Sequence, residues 1–301
     1  MTPICGLLNI NKPAGVTSRD VVNRVVRVLR QVTGQKKVKA GHCGTLDPMA
    51  TGVLVVCVGQ ATRLVSLIQE QAKTYRGSFL LGRVTDTDDV TGETISENAL
   101  NSNSVTREQL EALLPEFTGR IEQVPPRFSA VHVDGKRAYD LARRGAEVKL
   151  DPRTVEVYRL ELESFECPAF GLVIECGSGT YIRSIGRDIG QLLGCGATMS
   201  SLVRTAIGPF RVTAAIPLDE LTEQNLEDVL LPPAFGVQHL PSIQIDMGEA
   251  VHIRNGREIQ DRRSGPDDDR RVVLLTEGHQ LVAIGETGRR PGTLKPSIVF
   301  K

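Results

Sequence analysis

No tryptophan occurs in the 301-residue chain, and aromatic residues make up only 4% of it. The core must therefore be largely aliphatic, and any flat face offered to a planar ligand has to come from a few tyrosines or phenylalanines. No apolar run is long enough for a membrane-spanning helix, and Met1–Asn11 has no basic segment ahead of its short apolar stretch, so the cytoplasm is the expected compartment. The six cysteines (Cys5, Cys43, Cys57, Cys167, Cys176, Cys195) form no C-x-x-C pair and are irregularly spaced. That pattern argues against a zinc knuckle or a disulfide framework and reads as reduced, mostly buried thiols.

Several catalytic signatures are missing as well. There is no G-x-x-x-x-G-K-[ST], no G-x-G-x-x-G after a strand, no G-x-S-x-G elbow, and neither half of the zinc-deaminase signature. "DTDDVTGE" has its glycine and acids out of register for an EF-hand and reads as an exposed acidic turn. Net charge is zero, but the charges are segregated. Residues 19–39 carry seven bases (Arg19, Arg24, Arg27, Arg30, Lys36, Lys37, Lys39) against Asp20 alone, and residues 127–149 carry six against three acids. One such run suits a solvated helix face. Two of them flanking a glycine-rich acidic loop point towards a phosphate backbone.

What is present is an α+β pattern. Gly6–Ile10 reads as a strand, and Thr17 with Asp20 forms a capping signature before Val21, Val22, Val25, Val26 and Leu29 at helical spacing. Val53–Val58 is a buried strand and Thr74–Leu81 an alternating one. Thr106 caps a helix bearing Leu110, Leu113, Leu114 and Phe117. "FGLVIECGSGTYIRSIGRDIGQLLG" reads as strand, small-residue turn and helix, with Ile182, Ile185, Ile189 and Leu192 inward. From about residue 241, "AVHIRNGREI" with its Asn255-Gly256 turn, "RVVLLTEGHQLVAIGE" and "PSIVFK" suggest a small all-β domain.

In "GHCGTLDPMATG", residues 41–52, a single carboxylate, Asp47, stands among Gly41, Gly44 and Gly52 and before Pro48. Glycines leading into a buried strand let backbone approach a ligand closely. A tight turn capped by Asp is the alternative that this stretch alone leaves open.

Six blocks, "GLLNINKPAGVTSRDVV", "GHCGTLDPMATGVLVVCVGQATRL", "KTYRG", "LGRVTDTDDVTGE", "QVPPRFSAVHVDGKRAYDLARRG" and "GTYIRSIGRDIG", resemble in order and spacing the TruB family of bacterial tRNA pseudouridine synthases. The resemblance covers nearly the whole chain. It implies a catalytic domain over residues 1–240, with a mixed, largely antiparallel sheet flanked by helices and an RNA-contacting insertion at about 120–150. It also implies a C-terminal PUA-like barrel over 241–301, in which Arg254, Arg257, Arg262, Arg263, Arg270 and Arg271 would reach phosphates. The reaction implied is isomerisation of uridine 55 in the T arm of tRNA by a monomer, without cofactor or metal.

By the same resemblance Asp47 matches the nucleophile, Arg183 the arginine that pairs with it and keeps it aimed, and Tyr75 the tyrosine that stacks on the flipped base. His42 matches the residue that fills the vacated stack, and Tyr181 and Leu202 line the uracil pocket. Lys12 is expected to contact phosphate or support the Asp47 loop. Cys43 stands where the family more often has Thr. A non-catalytic tRNA-binding or tRNA-folding protein using the same surface is the alternative, although a pure binder has no need of a carboxylate facing phosphates.

Overall fold

The computed structural model describes residues 4–97, 104–129, 150–263 and 271–300, together with the backbone of 132–133 and 136–137. Most of the basic stretch 127–149, within the expected RNA-contacting insertion, lies outside the described residues.

Ten strands form one sheet: β1 (Gly6–Lys12), β2 (Ala40–His42), β3 (Thr51–Val58), β4 (Lys73–Leu81), β5 (Gly119–Gln123), β6 (Arg153–Glu166), β7 (Ala169–Cys176), β8 (Ala197–Ile207), β9 (Phe210–Arg211) and β10 (Ile216–Pro217). The order is β10-β1-β3-β8-β4-β7-β6-β5, with β2 on β3 and β9 on β8. Only β10 with β1 and β8 with β3 run parallel, so the sheet is mixed and largely antiparallel, as expected.

β3 is apolar from Val53 to Val58 because both of its faces are covered there. Leu54, Val56 and Val58 pack with Val21, Val22, Val25, Val28 and Leu29 of helix α1 (Ser18–Thr33), while Val53, Val55 and Cys57 pack with Ala61, Leu64, Leu67 and Ile68 below. α1 starts at a capping box: the Thr17 side chain accepts from the Asp20 amide at 3.1 Å, and the Asp20 carboxylate accepts from the Thr17 amide at 2.9 Å. Helix α2 (Val65–Glu70) follows β3, and α3 (Arg107–Leu113) begins at a second capping box, Thr106 with Gln109.

Helix α4 (Ile182–Leu192) lies on the opposite half of the sheet. Ile182, Ile185 and Ile189 are buried against Tyr75, Phe79 and Met199, but Leu192, expected inward, is 56% exposed because it falls on the last turn beyond the sheet. Gly186 permits this docking, since a Cβ there would meet the Phe79 ring at 2.2 Å.

The C-terminal part is a five-stranded sheet, β11 (Ser242–Gln244), β12 (Ile259–Gln260), β13 (Arg271–Leu275), β14 (Leu281–Thr287) and β15 (Thr293–Val299), in the order β11-β13-β14-β15-β12. It is not all-β. Met247–Arg254 forms helix α5, capped by Asp246 and Glu249, and the Asn255-Gly256 pair ends this helix instead of turning a hairpin. Val273, Ile284 and Phe300 are buried in the same apolar cluster as Leu7, Val55, Leu64 and Ile68, so this sheet shares its core with the first. Arg271 pairs with Glu70 at 3.1 Å, and the Arg63 guanidinium donates to the Val299 carbonyl at 2.5 Å across the same junction. Arg262 and Arg263 are engaged by Glu249 and Asp261, which leaves Arg254 and Arg257 as exposed cations of the expected set, Arg270 lying outside the described residues.

Candidate active site

Asp47 sits on the loop between β2 and β3, held from three sides. From α1, the Ser18 hydroxyl accepts from the Leu46 amide at 2.9 Å and donates to its carbonyl at 3.1 Å. From β1, Lys12 is fully buried and its ammonium donates to Pro13, Val16 and Pro48 carbonyls at 2.8, 2.8 and 3.2 Å. All three protons are spent inside the protein, so of the two roles expected for Lys12 the phosphate contact is excluded and support of the loop remains. Burial, its largest influence, lowers the pKa of Lys12 to about 8. From β8, Arg204 donates to the carbonyls of Val53, Thr45 and Gly44 at 2.8, 3.2 and 3.2 Å.

The loop faces Arg183 on the first turn of α4. Arg183 Nε lies 3.0 Å from Asp47 Oδ2, with the carboxylate side chain 34% exposed and the guanidinium 7%. The remaining guanidinium nitrogens donate to the Thr87 and Phe128 carbonyls at 2.8 and 3.0 Å, and Nη1 stands 3.7 Å from Asp89. Every edge of the fork has a partner, so its plane is fixed.

That arrangement overturns the reading of "DTDDVTGE" as an exposed acidic turn. Asp89 is 5% exposed, and its carboxylate accepts from the Thr91 amide at 2.9 Å and the Thr87 hydroxyl at 2.9 Å. Asp88, 9% exposed, accepts from Arg187 of α4 at 3.0 Å. Four acids in one short stretch look solvated in sequence; the arginines that meet Asp88 and Asp89 come almost a hundred positions later, beyond any local pattern.

Asp47 and Arg183 line a cleft of about 260 Å³ together with Tyr75, Tyr181, Leu202, Lys73 and Arg204. Pockets for drug-sized ligands run to about 300–1,000 Å³, so this one suits a single planar ring. Tyr75 projects from the buried face of β4, and burial is the main cause of its raised pKa. Tyr181 is fixed at the N-cap of α4 by Gln123, whose side chain accepts from its amide at 2.7 Å and donates to its carbonyl at 3.0 Å. Leu202 is 7% exposed on β8. His42 does not line this cleft; on β2 it stands opposite Val56 of β3, half-buried, with its pKa lowered by burial and then by the charges of Arg19 and Arg204. Among the described residues no three His, Cys, Asp or Glu side chains converge as metal ligands do. A second hollow of about 320 Å³, beside Cys5, Thr33, Lys37 and Arg63, contains no carboxylate.

Sequence reasoning found Asp47, Arg183, Tyr75, Tyr181 and Leu202, which the fold brings to one cleft. It missed Arg204, Gln123, Lys73 and Asp89. A basic residue within an otherwise alternating strand was the only signal for Arg204.

Residues 30–182 match the family described as TruB family pseudouridylate synthase (N terminal domain), and residues 183–233 match tRNA pseudouridylate synthase B C-terminal domain. The chain is 42% identical over 299 residues to tRNA pseudouridine synthase B of Dehalococcoides mccartyi, covering 98% of this chain and 96% of the relative. It is 41% identical over 304 residues to the protein of the same name from Syntrophomonas wolfei, covering 98% of each. Among solved structures, a chain of a Cbf5-Nop10-Gar1 complex superposes with a TM-score of 0.71 at 28% identity, covering 98% of this chain and 84% of that one. A chain of an H/ACA RNP bound to a substrate RNA containing 2'-deoxyuridine gives 0.71 at 25% identity, covering 98% and 85%.

Proposed function

The chain belongs to the TruB family of pseudouridylate synthases, and from that premise we propose that it isomerises uridine 55 in the T arm of tRNA, with Asp47 as the nucleophile. The chemistry breaks the bond from ribose C1' to uracil N1 and makes one from C1' to C5. C5 gives up a proton and N1 gains one, so atoms and electrons balance without an oxidant or reductant. A carboxylate assists by forming a transient covalent bond, splitting one hard step into two.

The observation that carries this reading is the contact between Asp47 and Arg183: a partly exposed carboxylate aimed by a guanidinium that is itself held at every edge. Tyr75 supplies a stacking face for the extruded base, and Tyr181 and Leu202 close the pocket around it. Extrusion from the folded arm costs a few kcal/mol, and His42, beside the loop and outside the cleft, suits the place the base leaves. The names of the relatives support tRNA as the substrate. In this proposal residues 1–240 carry the chemistry, 241–301 form a PUA-like module that grips RNA, and the protein acts as a cytoplasmic monomer without a cofactor.

The test is tritium release from tRNA carrying 5-tritiated uridine, with a second transcript in which position 55 is cytidine. Release from the first and none from the second is expected, and Asp47→Asn should bind tRNA yet release no tritium. Turnover by that variant within tenfold of the wild type would sink the assignment of Asp47, and release from the cytidine transcript would sink position 55.

A further inference from the structure

Arg204 is 1% exposed, and its charge is met by carbonyl oxygens in place of a carboxylate. Burying a guanidinium in this way is costly, so its position calls for a return. The register explains where the side chain goes. Arg204 stands opposite Tyr75 on β4 and opposite Gly52 on β3, between the strand that bears the tyrosine and the loop that bears the acid. The backbones approach so closely here that a Cβ on Gly52, at φ +101°, would lie 2.3 Å from the Arg204 carbonyl oxygen.

Nε–H serves Val53, the two terminal nitrogens serve Thr45 and Gly44, and the guanidinium lines the same cleft as the side chain of Tyr75, its partner across the ladder. Thr45 and Gly44 lie two and three residues before Asp47. One planar fork therefore spans the two groups between which a base must detach, turn over and reattach. We propose that Arg204 is a positioning residue that fixes the separation of Tyr75 from the Asp47 loop while the base rotates, and that it serves the chemical step and not the capture of RNA. The proposal rests on the assignment of Asp47 and Tyr75 given above. Lysine, a single point of charge on a flexible stem, cannot reproduce such a span.

The experiment uses the full-length chain with Arg204→Lys, Tyr75→Phe and the double variant. It measures single-turnover tritium release at saturating T-arm RNA, and RNA affinity by filter binding. Arg204→Lys is expected to slow release at least about 20-fold while the Kd changes less than about threefold, since an interaction made only in the reacting complex is lost from rate and not from binding. In the Tyr75→Phe background the same substitution should cost at least about fivefold less, because part of the linkage is already gone. Additive effects, an unslowed rate, or a loss explained by affinity would overturn the proposal.

If Arg204→Lys does not fold, hydrogen exchange in Tyr75→Phe decides. The Leu46 and Ala50 amides, bonded to Ser18 and to the Asp47 carbonyl, should exchange about three- to tenfold faster, as expected when the guanidinium loses its polar neighbour across the ladder. Unchanged exchange refutes the linkage. Asp47→Asn is assayed in parallel: if it turns over normally the assignment of the acid has failed, whereas an inactive Asp47→Asn with an undiminished Arg204→Lys condemns only the role of Arg204.

Discussion

Ending the chain after Pro241 tests how far the C-terminal sheet is separable. Read from sequence, the cut removes grip and leaves chemistry intact. The shared apolar cluster predicts otherwise: Val273, Ile284 and Phe300 are at most 6% exposed and pack with Leu7, Val55, Leu64 and Ile68 of the catalytic half. Fully burying such a side chain is worth about 1.5–3 kcal/mol, so the three together account for roughly 5–9 kcal/mol as an upper bound, part of it made within their own sheet. Even half of that, roughly 2–5 kcal/mol, is a large share of the roughly 5–15 kcal/mol that holds a whole domain folded. Ile284→Ala gives a graded version, expected to cost about 2–5 kcal/mol and to lower Tm by roughly 5–10 °C. The assays are urea unfolding, dye binding to exposed apolar surface, and single-turnover release from a T-arm hairpin. The truncated chain should unfold at a much lower urea midpoint, bind dye and lose hairpin turnover through misfolding. A truncated chain with the urea midpoint and hairpin rate of the full one would refute the argument.

Arg183→Lys should slow turnover roughly 10- to 100-fold with little change in RNA affinity, the conversion of about 1.5–3 kcal/mol for a charged hydrogen bond; a fall in affinity with an unchanged single-turnover rate would make Arg183 a phosphate contact. Lys12→Met should destabilise the fold by about 2–5 kcal/mol, since the three carbonyls that meet the buried ammonium lose their charged donor. Its tRNA binding should keep the wild-type dependence on salt, whereas loss of a phosphate contact would flatten the log–log slope by about 0.7–0.9. The His42 ring, followed by NMR, should titrate with a midpoint below 6.5, and a midpoint at or above that value contradicts its burial. The sign for stability follows: between the folded midpoint and 6.5 the unfolded chain binds more protons, so the stability that His42 contributes is present above this window and lost as pH falls through it.

Elements with local signatures were readable in the sequence. Thr17 with Asp20 and Thr106 with the helix behind it announce α1 and α3, and the β-branched run Val53–Val58 announces a strand covered on both faces. Met247–Arg254 was hidden because Asn255-Gly256 is a strong hairpin signal, while the capping pair Asp246 and Glu249 sits in a run with little amphipathic pattern. Asp47 was visible through its glycines and, with Arg183 and Tyr75, through the family pattern. Asp89 and Arg204 were not, since their meaning lies in partners brought close only by the sheet: Arg183 for the first, and for the second the carbonyls of a loop about 150 positions earlier.

The parallel pairing of β8 with β3 also has a consequence in time. The supports that α1 and β1 give the acid loop reach back no further than 36 positions, from Pro48 to Lys12, and can form as soon as that stretch has left the ribosome. The clamp from β8 cannot, because 151 positions separate Val53 from Arg204. At about 5–20 residues per second the nascent chain waits roughly 8–30 s with Asp47 in place before Arg204 is made, Arg183 coming only shortly ahead of it. The acid is laid down early, and the groups that aim it arrive with the last strands of the sheet.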